Sequence, residues 1–300
     1  MPLEQTDRAL LTDLYELTMS AAYFTHDMNR PAAFEMFIRS TPERPYLIAA
    51  GLEQVVSYLQ NLEFDDSQID YLRGLDVFSH FKDGFWDYLR DFSFNGSVQA
   101  IPEGTVVFGT EPLLRVQAPL IEAQLIETFL LSMINFQTLV ATKAARVTEA
   151  ACCDGKQRGV VDFGSRRAHG PDAAVLAARA SYIGRCMGSS NVEAGYRTGI
   201  PVFGTQAHSF VMAFDTEEEA FRAYYDAFPE ACVLLIDTYD VHQGTEKAAE
   251  VAPELNGVRI DSGDIAELSH EVRAILDDHG LEDARVLASG DLDEFKIQEL

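Results

Sequence analysis

Residues that could bind an anion follow one short apolar run of the chain. The segment reads VVDFGSRRAHG over residues 160–170. A planar anion could lie here, since its ring can stack on Phe163 while a carboxylate or phosphate group takes Arg166 and Arg167. The alternative interpretation is a strand-to-loop turn with a surface ion pair, and such pairs are common and weak.

His208 is the best candidate for a catalytic histidine. It lies in GTQAHSF, with Thr205 and Ser209 as neighbouring hydrogen-bond partners. A neutral imidazole in this setting can act as base, acid or nucleophile. The sequence contains no G-x-S-x-G, H-E-x-x-H or Walker A motif, so a serine triad, a zincin or a P-loop is not indicated.

Carboxylates follow the apolar runs of the C-terminal half. The aspartates that we expect along one rim are Asp237, Asp240, Asp261, Asp264 and Asp291. Carboxylates that face a cavity suit a pair of sugar hydroxyls or Mg²⁺, whose shell is usually completed by water and phosphate. Arg259 precedes Asp261 by two residues, so both side chains should face the same way in a strand.

Strands and helices that would position these groups alternate from residue 160 onward. The predicted strands are Val160–Phe163, Ile200–Phe203, Val233–Ile236, Val258–Ile260 and Val286–Ala288. The predicted helices are Asp172–Arg185, Thr216–Phe228, a helix near Glu246–Val251, Ile265–Asp278 and one from Leu292 onward. Chemically interesting residues follow each strand, and parallel α/β folds carry their sites at that end. A shorter segment, Met187–Gly199, places Ser189 or Ser190 either as a helix cap or as part of an anion site.

The N-terminal part has a different pattern. Helical spacing over residues 6–24 contains Tyr15, which periodicity alone favours as an aromatic at the edge of the core. A predicted strand, Ala33–Ser40, leads through Arg39 into a loop. Further predicted elements are the helices Leu52–Leu62, Ser67–Leu75 and Phe81–Phe92, short antiparallel strands within Phe94–Ala118, and a long internal helix over 120–151.

We therefore predict an α/β protein with two domains. An α+β domain occupies residues 1–119, and a long helix with an irregular parallel βα barrel, incomplete at its C-terminal end, occupies residues 120–300. Lys143 and Arg146 share one face near the end of the long helix, where a solvated helix end is the favoured interpretation.

Composition narrows the class of partner. The 300 residues carry 48 acidic and 23 basic side chains, a net charge of −25, which argues against nucleic acid as the main partner. There is no apolar run long enough for a membrane span and no secretory signal pattern at the N-terminus. The four cysteines show no zinc-like spacing, and we interpret them as thiols in a reducing cytoplasm.

Taken together, the motifs resemble one enzyme family. TDLYELTM, FEMFIRS, NFQTLVATKAARV, VDFGSRRAHG, MGSSNV, GTQAHSF, VRIDSGD and ASGD occur in this order. The chain is similar over residues 6–300 to the nicotinate phosphoribosyltransferases, of the type II phosphoribosyltransferase superfamily. This resemblance implies transfer of phosphoribosyl from phosphoribosyl pyrophosphate to nicotinate, which gives nicotinate mononucleotide and pyrophosphate with ATP hydrolysis, in NAD salvage in the cytoplasm.

The resemblance also implies roles for single residues. Phe163 would stack on the pyridine ring, and Tyr15 would close the other face from the neighbouring subunit of a homodimer with shared active sites. Thr205 and Arg259 would contact nicotinate, and His208 would be phosphorylated by ATP. The residues expected to handle phosphates, ribose and Mg²⁺ are Arg39, Arg166, Asp261, Gly290 and Asp291.

Ser190 falls where nicotinamide-preferring relatives carry an acid, which fits a substrate with a carboxylate. Mg²⁺ is expected through substrate phosphates, with its protein ligands unassigned. The roles of Lys143, Arg146, Arg167 and His169 are unassigned as well.

The family's barrel continues beyond the point where this sequence stops, and its glycine-rich phosphate loop has no equivalent here. We therefore expect a fragment of a longer protein, rather than a truncated chain that is inactive on its own. Alternative functions are a nicotinamide-using phosphoribosyltransferase and a non-catalytic remnant that binds pyridine nucleotides or a partner subunit.

Overall fold

The protein folds into two compact units, seen in a computed structural model that describes residues 8–39, 45–81 and 83–300. The first unit comprises Met1–Thr148 and Gly159–Val202, and the second comprises Glu149–Arg158 and Phe203–Leu300. Loop residues 41–44, predicted to follow Arg39, lie outside the described residues.

The elements of the first unit mix helices with short strands. In chain order its helices are α1 (Leu14–Thr25), α2 (Leu52–Gln60), α3 (Asp66–Arg73), α4 (Asp83–Arg90), α5 (Leu120–Leu125), α6 (Glu127–Ala151, whose last turn belongs to the second unit), α7 (Pro171–Ile183) and α8 (Val192–Thr198). Its strands are β1 (Pro31–Phe37), β2 (Leu47–Ile48), β3 (Ser97–Ala100), β4 (Val106–Val107), β5 (Pro112–Pro119), β6 (Val161–Asp162) and β7 (Gly188–Ser189).

Antiparallel pairing dominates the N-terminal part, as the sequence predicts for 94–118. Strand β5 is the centre of a three-stranded sheet in the order β1-β5-β3, with Phe34 opposite Val116. Strands β2 and β4 form a second antiparallel pair. The parallel pair β6–β7 joins Asp162 to Ser189 as direct partners across the ladder.

An apolar core holds these helices and the antiparallel sheet together. Within it the ring of Tyr58 stacks on that of Phe129, with centroids 3.7 Å apart and planes at 10°. Both rings are almost completely buried. Burial of large aromatic side chains is the main source of stability in a core of this kind.

A buried ionic network crosses the first unit. Arg179 on α7 is only 9% exposed and donates to the carboxylates of Glu103 (2.6 Å) and Glu53 (2.5 Å) and to the Gln137 side chain (3.2 Å). Burial alone would raise the pKa of the Glu103 carboxyl, but the Arg179 guanidinium and backbone N–H groups outweigh it and lower that pKa. The network fastens α7 to α2, to the loop between β3 and β4, and to α6.

The second unit is built from parallel strands and helices. Its strands are β8 (Val233–Leu235), β9 (Gly257–Ile260) and β10 (Arg285–Ala288), and its helices are α9 (His208–Val211), α10 (Glu217–Ala227), α11 (Val241–Val251), α12 (Ile265–Asp278) and α13 (Glu294–Glu299). The strands form one parallel sheet in the order β10-β9-β8. Apolar side chains of this sheet and of α10–α12 make a separate core.

One of the predicted strands is wrong, although the helix predicted to follow it is present as α10. Ile200–Phe203 forms no strand and contributes a single parallel bridge, between Ser189 and Val202. Pro201 lacks the N–H that a ladder needs, which limits pairing to its carbonyl, the acceptor of the Ser189 N–H at 3.1 Å. This region instead contains the strand β7, in the segment Met187–Gly199, where no strand was predicted.

Several helix boundaries also differ from the prediction, among them the start of α11, at Val241 rather than near Glu246. The first helix begins at Leu14 because Asp13 is extended, with φ −77° and ψ 146°. The long helix is divided at Ile126, and the Thr128 N–H of the second part donates to the Glu16 carboxylate at 3.0 Å. A side chain of α1 thus caps α6.

The described strands confirm a mixed α/β fold with parallel pairing in the C-terminal part, although their pairing does not establish a barrel. The predicted domain boundary at 119/120 stays a prediction. Among the described residues, no helix combines the length and apolar character that crossing a bilayer requires.

The buried network predicts a large effect of Arg179→Met on stability. The substitution leaves the Glu103 carboxylate half-buried beside an apolar side chain, and we expect the free energy of unfolding to fall by about 3–5 kcal/mol. Arg197→Met is the matched control, because Arg197 makes an ion pair with Glu193 on the surface of α8, and it should cost at most about 0.5 kcal/mol. Urea denaturation measures both, and equal losses would contradict a structural role for the network.

Candidate active site

The guanidinium of Arg259 is the centre of a polar cluster in the second unit. Its Nε donates to Ser289 Oγ (2.7 Å), and its Nη2 donates to Asp261 Oδ1 (2.6 Å). Its Nη1 donates to Thr205 Oγ1 (3.0 Å) and to the carbonyl of Gln206 (3.3 Å). Every nitrogen of the planar group therefore has an acceptor, which fixes its orientation.

Asp261 follows β9 and links this arginine to three neighbouring groups. Its Oδ1 also accepts the Ser289 hydroxyl at 2.5 Å, and its N–H donates to Asp237 Oδ2 at 2.9 Å. Burial acts to raise the pKa of the Asp261 carboxyl, but the Ser289 hydroxyl, the Arg259 guanidinium and His208 outweigh it. The net shift is downward, so this group is an anion at neutral pH.

His208 is the first residue of α9 and lies beside that carboxylate. Its Nε2 is 3.8 Å from Asp261 Oδ2, and its Nδ1 is 3.2 Å from Thr238 Oγ1. With Nδ1–H donating to Thr238, Nε2 carries the lone pair of a neutral ring. The side chain is 39% exposed, so an external reactant can reach it.

Gly290 brings β10 close to the end of β9. Its φ of +104° lies in the region that favours glycine, and a Cβ atom built there would lie 2.3 Å from the carbonyl oxygen of Asp261. Asp291, the next residue, has φ +52° and an exposed side chain, and its carbonyl accepts the Lys296 ammonium at 2.9 Å. The close approach of the backbone to the carbonyl of Asp261 therefore requires a glycine at position 290.

Two of the rim aspartates have another use. Asp240 accepts the Gln243 N–H at 2.9 Å and is the N-cap of α11, while Asp264 accepts the Glu267 N–H at 3.2 Å and is the N-cap of α12. N-capping is a common use of aspartate at the start of a helix. Asp237 and Asp261 thus remain the carboxylates of the Arg259 cluster.

The first unit holds the segment of residues 160–170, which contains Phe163 and Arg166. Phe163 is half-buried directly after β6, and Arg166 is exposed in the short turn Ser165–Arg167. Ser190 is half-buried directly after β7, the partner strand of β6. The parallel pairing therefore brings the turn that carries Phe163 to the same strand ends as Ser190.

Tyr15 and Arg39 lie elsewhere in the first unit. Tyr15 is 45% exposed on α1, and its hydroxyl donates to Glu127 Oε1 at 3.0 Å. Desolvation and the Glu127 carboxylate raise the pKa of this phenol. Arg39 is exposed just after β1. The roles predicted for both residues stay predictions.

Four residues without an assigned role are placed in the first unit as well. Lys143 is exposed and Arg146 is half-buried on α6, while Arg167 and His169 are exposed in the loop before α7. The bridging roles of Ser289, Thr238 and Asp162 were not predicted from the sequence. Ser289 stands in the SGD motif next to Gly290, a signal that could have identified it.

Comparison with known proteins places the chain in a family. Residues 10–135 match the model of the nicotinate phosphoribosyltransferase N-terminal domain, and residues 159–296 match the model of the nicotinate phosphoribosyltransferase family. The chain is 48% identical over 307 aligned positions to nicotinate phosphoribosyltransferase pncB2 of Mycobacterium tuberculosis, covering 100% of this chain and 65% of that protein. It is 45% identical to nicotinate phosphoribosyltransferase of Bacillus subtilis, covering 97% of this chain and 60% of that protein.

The fold agrees with this result. The crystal structure of human nicotinic acid phosphoribosyltransferase superposes with a TM-score of 0.86 at 31% identity, over 96% of this chain and 70% of that one. The chain thus spans about two thirds of the length of these relatives. By its sequence and its fold, it belongs to the nicotinate phosphoribosyltransferase family.

Proposed function

We propose that this chain carries the substrate sites of a nicotinate phosphoribosyltransferase that acts in NAD salvage. The reaction joins nicotinate to phosphoribosyl pyrophosphate: the pyridine nitrogen bonds to the ribose C1 as the bond from C1 to the pyrophosphate oxygen breaks. The products are nicotinate mononucleotide and pyrophosphate. The observation that carries the proposal is the Arg259 cluster, which holds a cation, an anion and His208 together after parallel strands.

Binding of nicotinate is assigned to the residues that the family resemblance implies. We assign its carboxylate to the Arg259 guanidinium with the Thr205 hydroxyl, since Arg259 is held in a fixed orientation and guanidinium groups match carboxylates. The Phe163 ring would supply a stacking surface. Ser190 offers no charge to repel the substrate, which favours nicotinate over nicotinamide.

The phosphates and the ribose need cations and hydroxyl partners. We assign these contacts to Arg39, Arg166, Asp261, Gly290 and Asp291. The transition state has a cationic ribose between anionic groups, so positioning and electrostatics supply most of the rate. The carboxylate of Asp261, held as an anion, can stabilise such a positive charge.

Coupling to ATP is proposed through His208. In this step Nε2 attacks the γ-phosphorus of ATP, the bond to the bridging oxygen breaks and ADP leaves. When Nδ1 donates to the Thr238 hydroxyl, 3.2 Å away, the lone pair of Nε2 is available for this attack. Phosphorylation would then favour a productive state of the site, which uses the energy of ATP to raise substrate affinity.

Mg²⁺ fits the donor atoms of this cluster. Asp237 Oδ1 is buried and accepts no hydrogen bond from the described residues, and carboxylate oxygens are ligands that Mg²⁺ prefers. Asp237 and Asp261 would hold the ion together with substrate phosphates. Bound there, Mg²⁺ would neutralise charge on the leaving pyrophosphate.

Assembly and architecture complete the proposal. We assign Tyr15 to the active site of a neighbouring subunit in a homodimer, because its ring is 45% exposed on α1. An irregular βα barrel, to which the parallel strands would contribute, is proposed on the likeness to the human enzyme. A cytoplasmic location is part of the same proposal.

The function is tested by supplying the purified full-length protein with phosphoribosyl pyrophosphate, Mg²⁺ and either nicotinate or nicotinamide. We expect nicotinate mononucleotide, identified by mass spectrometry, and at least a tenfold lower kcat/KM with nicotinamide, an energy difference of about 1.4 kcal/mol or more. Preference for nicotinamide would favour a nicotinamide-using enzyme. Absence of turnover with both bases would favour a non-catalytic binding protein.

The ATP-coupled step predicts a specific defect in His208→Ala. ATP should no longer stimulate product formation, while some ATP-independent product remains, because the variant lacks the phosphoryl acceptor but keeps Arg259 and Asp261. His242→Ala is the matched control, since His242 forms a surface pair with Glu271 at 2.8 Å and should leave stimulation unchanged. Stimulation that survives His208→Ala would remove this residue from the ATP step.

A further inference from the structure

The carboxylate of Asp162 joins the two strand ends that carry Phe163 and Ser190. Its Oδ1 accepts the Gly164 N–H at 2.8 Å, and its Oδ2 accepts the Ser189 hydroxyl at 2.7 Å. Its carbonyl accepts the N–H of Ser190 at 2.8 Å. We name these three bonds, together with the bond from the Asn191 N–H to Ser189 Oγ, the Asp162 clamp.

The clamp continues through a fully buried serine. Ser189 is 0% exposed, and its Oγ accepts the Asn191 N–H at 3.1 Å while its hydroxyl donates to Asp162. Asn191 in turn accepts the Ala194 N–H at 2.9 Å as the N-cap of α8. The start of this helix is thus tied to the end of β6.

The anchor points lie on both sides of the two site residues. Phe163 stands between Asp162 and Gly164, both held by the clamp, and Ser190 stands between Ser189 and Asn191, also both held. The backbone of each site residue is therefore restrained at its two neighbours. A side chain carried by a restrained backbone meets its ligand with less loss of entropy.

A carboxylate is needed here for a reason beyond the turn. The bond to Gly164 alone is an Asx turn, which asparagine makes equally well. The O–H proton of the fully buried Ser189 also needs an acceptor, which the second carboxylate oxygen supplies and the amide nitrogen of an asparagine would not. Each of the two carboxylate oxygens of Asp162 thus accepts one hydrogen bond, from Gly164 and from Ser189.

We propose that Asp162 is a positioning residue for the nicotinate site, which it serves by fixing the ring of Phe163 relative to Ser190. This role rests on the proposed function, and it adds a residue that touches no reacting atom. Nicotinate affinity and the preference for nicotinate over nicotinamide then depend on the clamp. The phosphoribosyl pyrophosphate contacts of the second unit do not.

The test compares Asp162→Asn and Ser189→Ala with the control Asp172→Asn. In Asp162→Asn the side chain keeps the Asx turn but presents its amide NH₂ group to Ser189. In Ser189→Ala the hydroxyl itself is removed. Asp172 is exposed in the first turn of α7 and pairs with Arg8 at 3.3 Å, so its variant removes one negative charge nearby without touching the clamp.

Two readouts are needed. Hydrogen–deuterium exchange of peptides over 160–166 and 187–192 should accelerate about tenfold or more in both clamp variants and not in the control, since bonds to a charged acceptor are lost. The KM for nicotinate should rise by about tenfold or more, and the preference over nicotinamide should shrink. The KM for phosphoribosyl pyrophosphate should rise less, because its contacts at Asp261, Gly290 and Asp291 do not depend on the clamp.

The outcomes separate the clamp from the function. Unchanged exchange would overturn the clamp, whatever the activity. Faster exchange with an unchanged nicotinate KM would overturn the positioning role alone. A wild-type chain that neither binds nor converts nicotinate would overturn the proposed function and, with it, the role given to Asp162.

Discussion

The pairing of Arg259 with Asp261 is the interaction on which the candidate site depends. Arg259 lies in β9 and Asp261 directly follows this strand, so their side chains, two residues apart, face the same way. Ser289, directly after β10, bonds to both. A guanidinium without an anion, or a carboxylate without a donor, would be costly at this depth. Each group therefore keeps the other charged and oriented, and His208 lies beside them.

The backbone around this pair is adapted to the same requirement. Gly290 allows the end of β10 to approach the carbonyl of Asp261, where any side chain would collide. The Asp261 N–H is bound by Asp237, from the loop after β8. Residues from three adjacent strands thus converge, which is the arrangement that parallel α/β sheets provide at their carboxyl ends.

The first unit uses charged groups in a different way. Arg179 is buried beside the half-buried Glu103 and also pairs with the exposed Glu53, and both partners are far from it in sequence. The Asp162 carboxylate accepts hydrogen bonds from Gly164, after β6, and from Ser189, in β7. Charged groups thus connect elements of the first unit, whereas the charged pair at Arg259 is the one that we propose for substrate binding.

Local signals in the sequence predicted much of this. Helix α12 matches its predicted bounds, because Asp264 caps its start and apolar residues recur at helical spacing. The strand at Ile200–Phe203 failed because an apolar run was given more weight than Pro201. The predicted proximity of Arg259 and Asp261 followed from strand periodicity. The bonds of Ser289, Thr238 and Arg179 depend on residues 28–126 positions away, which no local pattern reveals.

Titration of the Asp261 carboxyl shows whether Arg259 holds this group as an anion. In carbon-detected NMR of protein labelled at aspartate, the signal is assigned by its loss in Asp261→Asn. We predict a pKa below the ordinary value of 3.8 in the wild type, so the carboxylate stabilises the fold above that pH and the contribution is lost as pH falls through the lowered pKa. Replacing Arg259 with methionine should raise the pKa. An Asp261 pKa that is the same with and without the arginine would contradict the account.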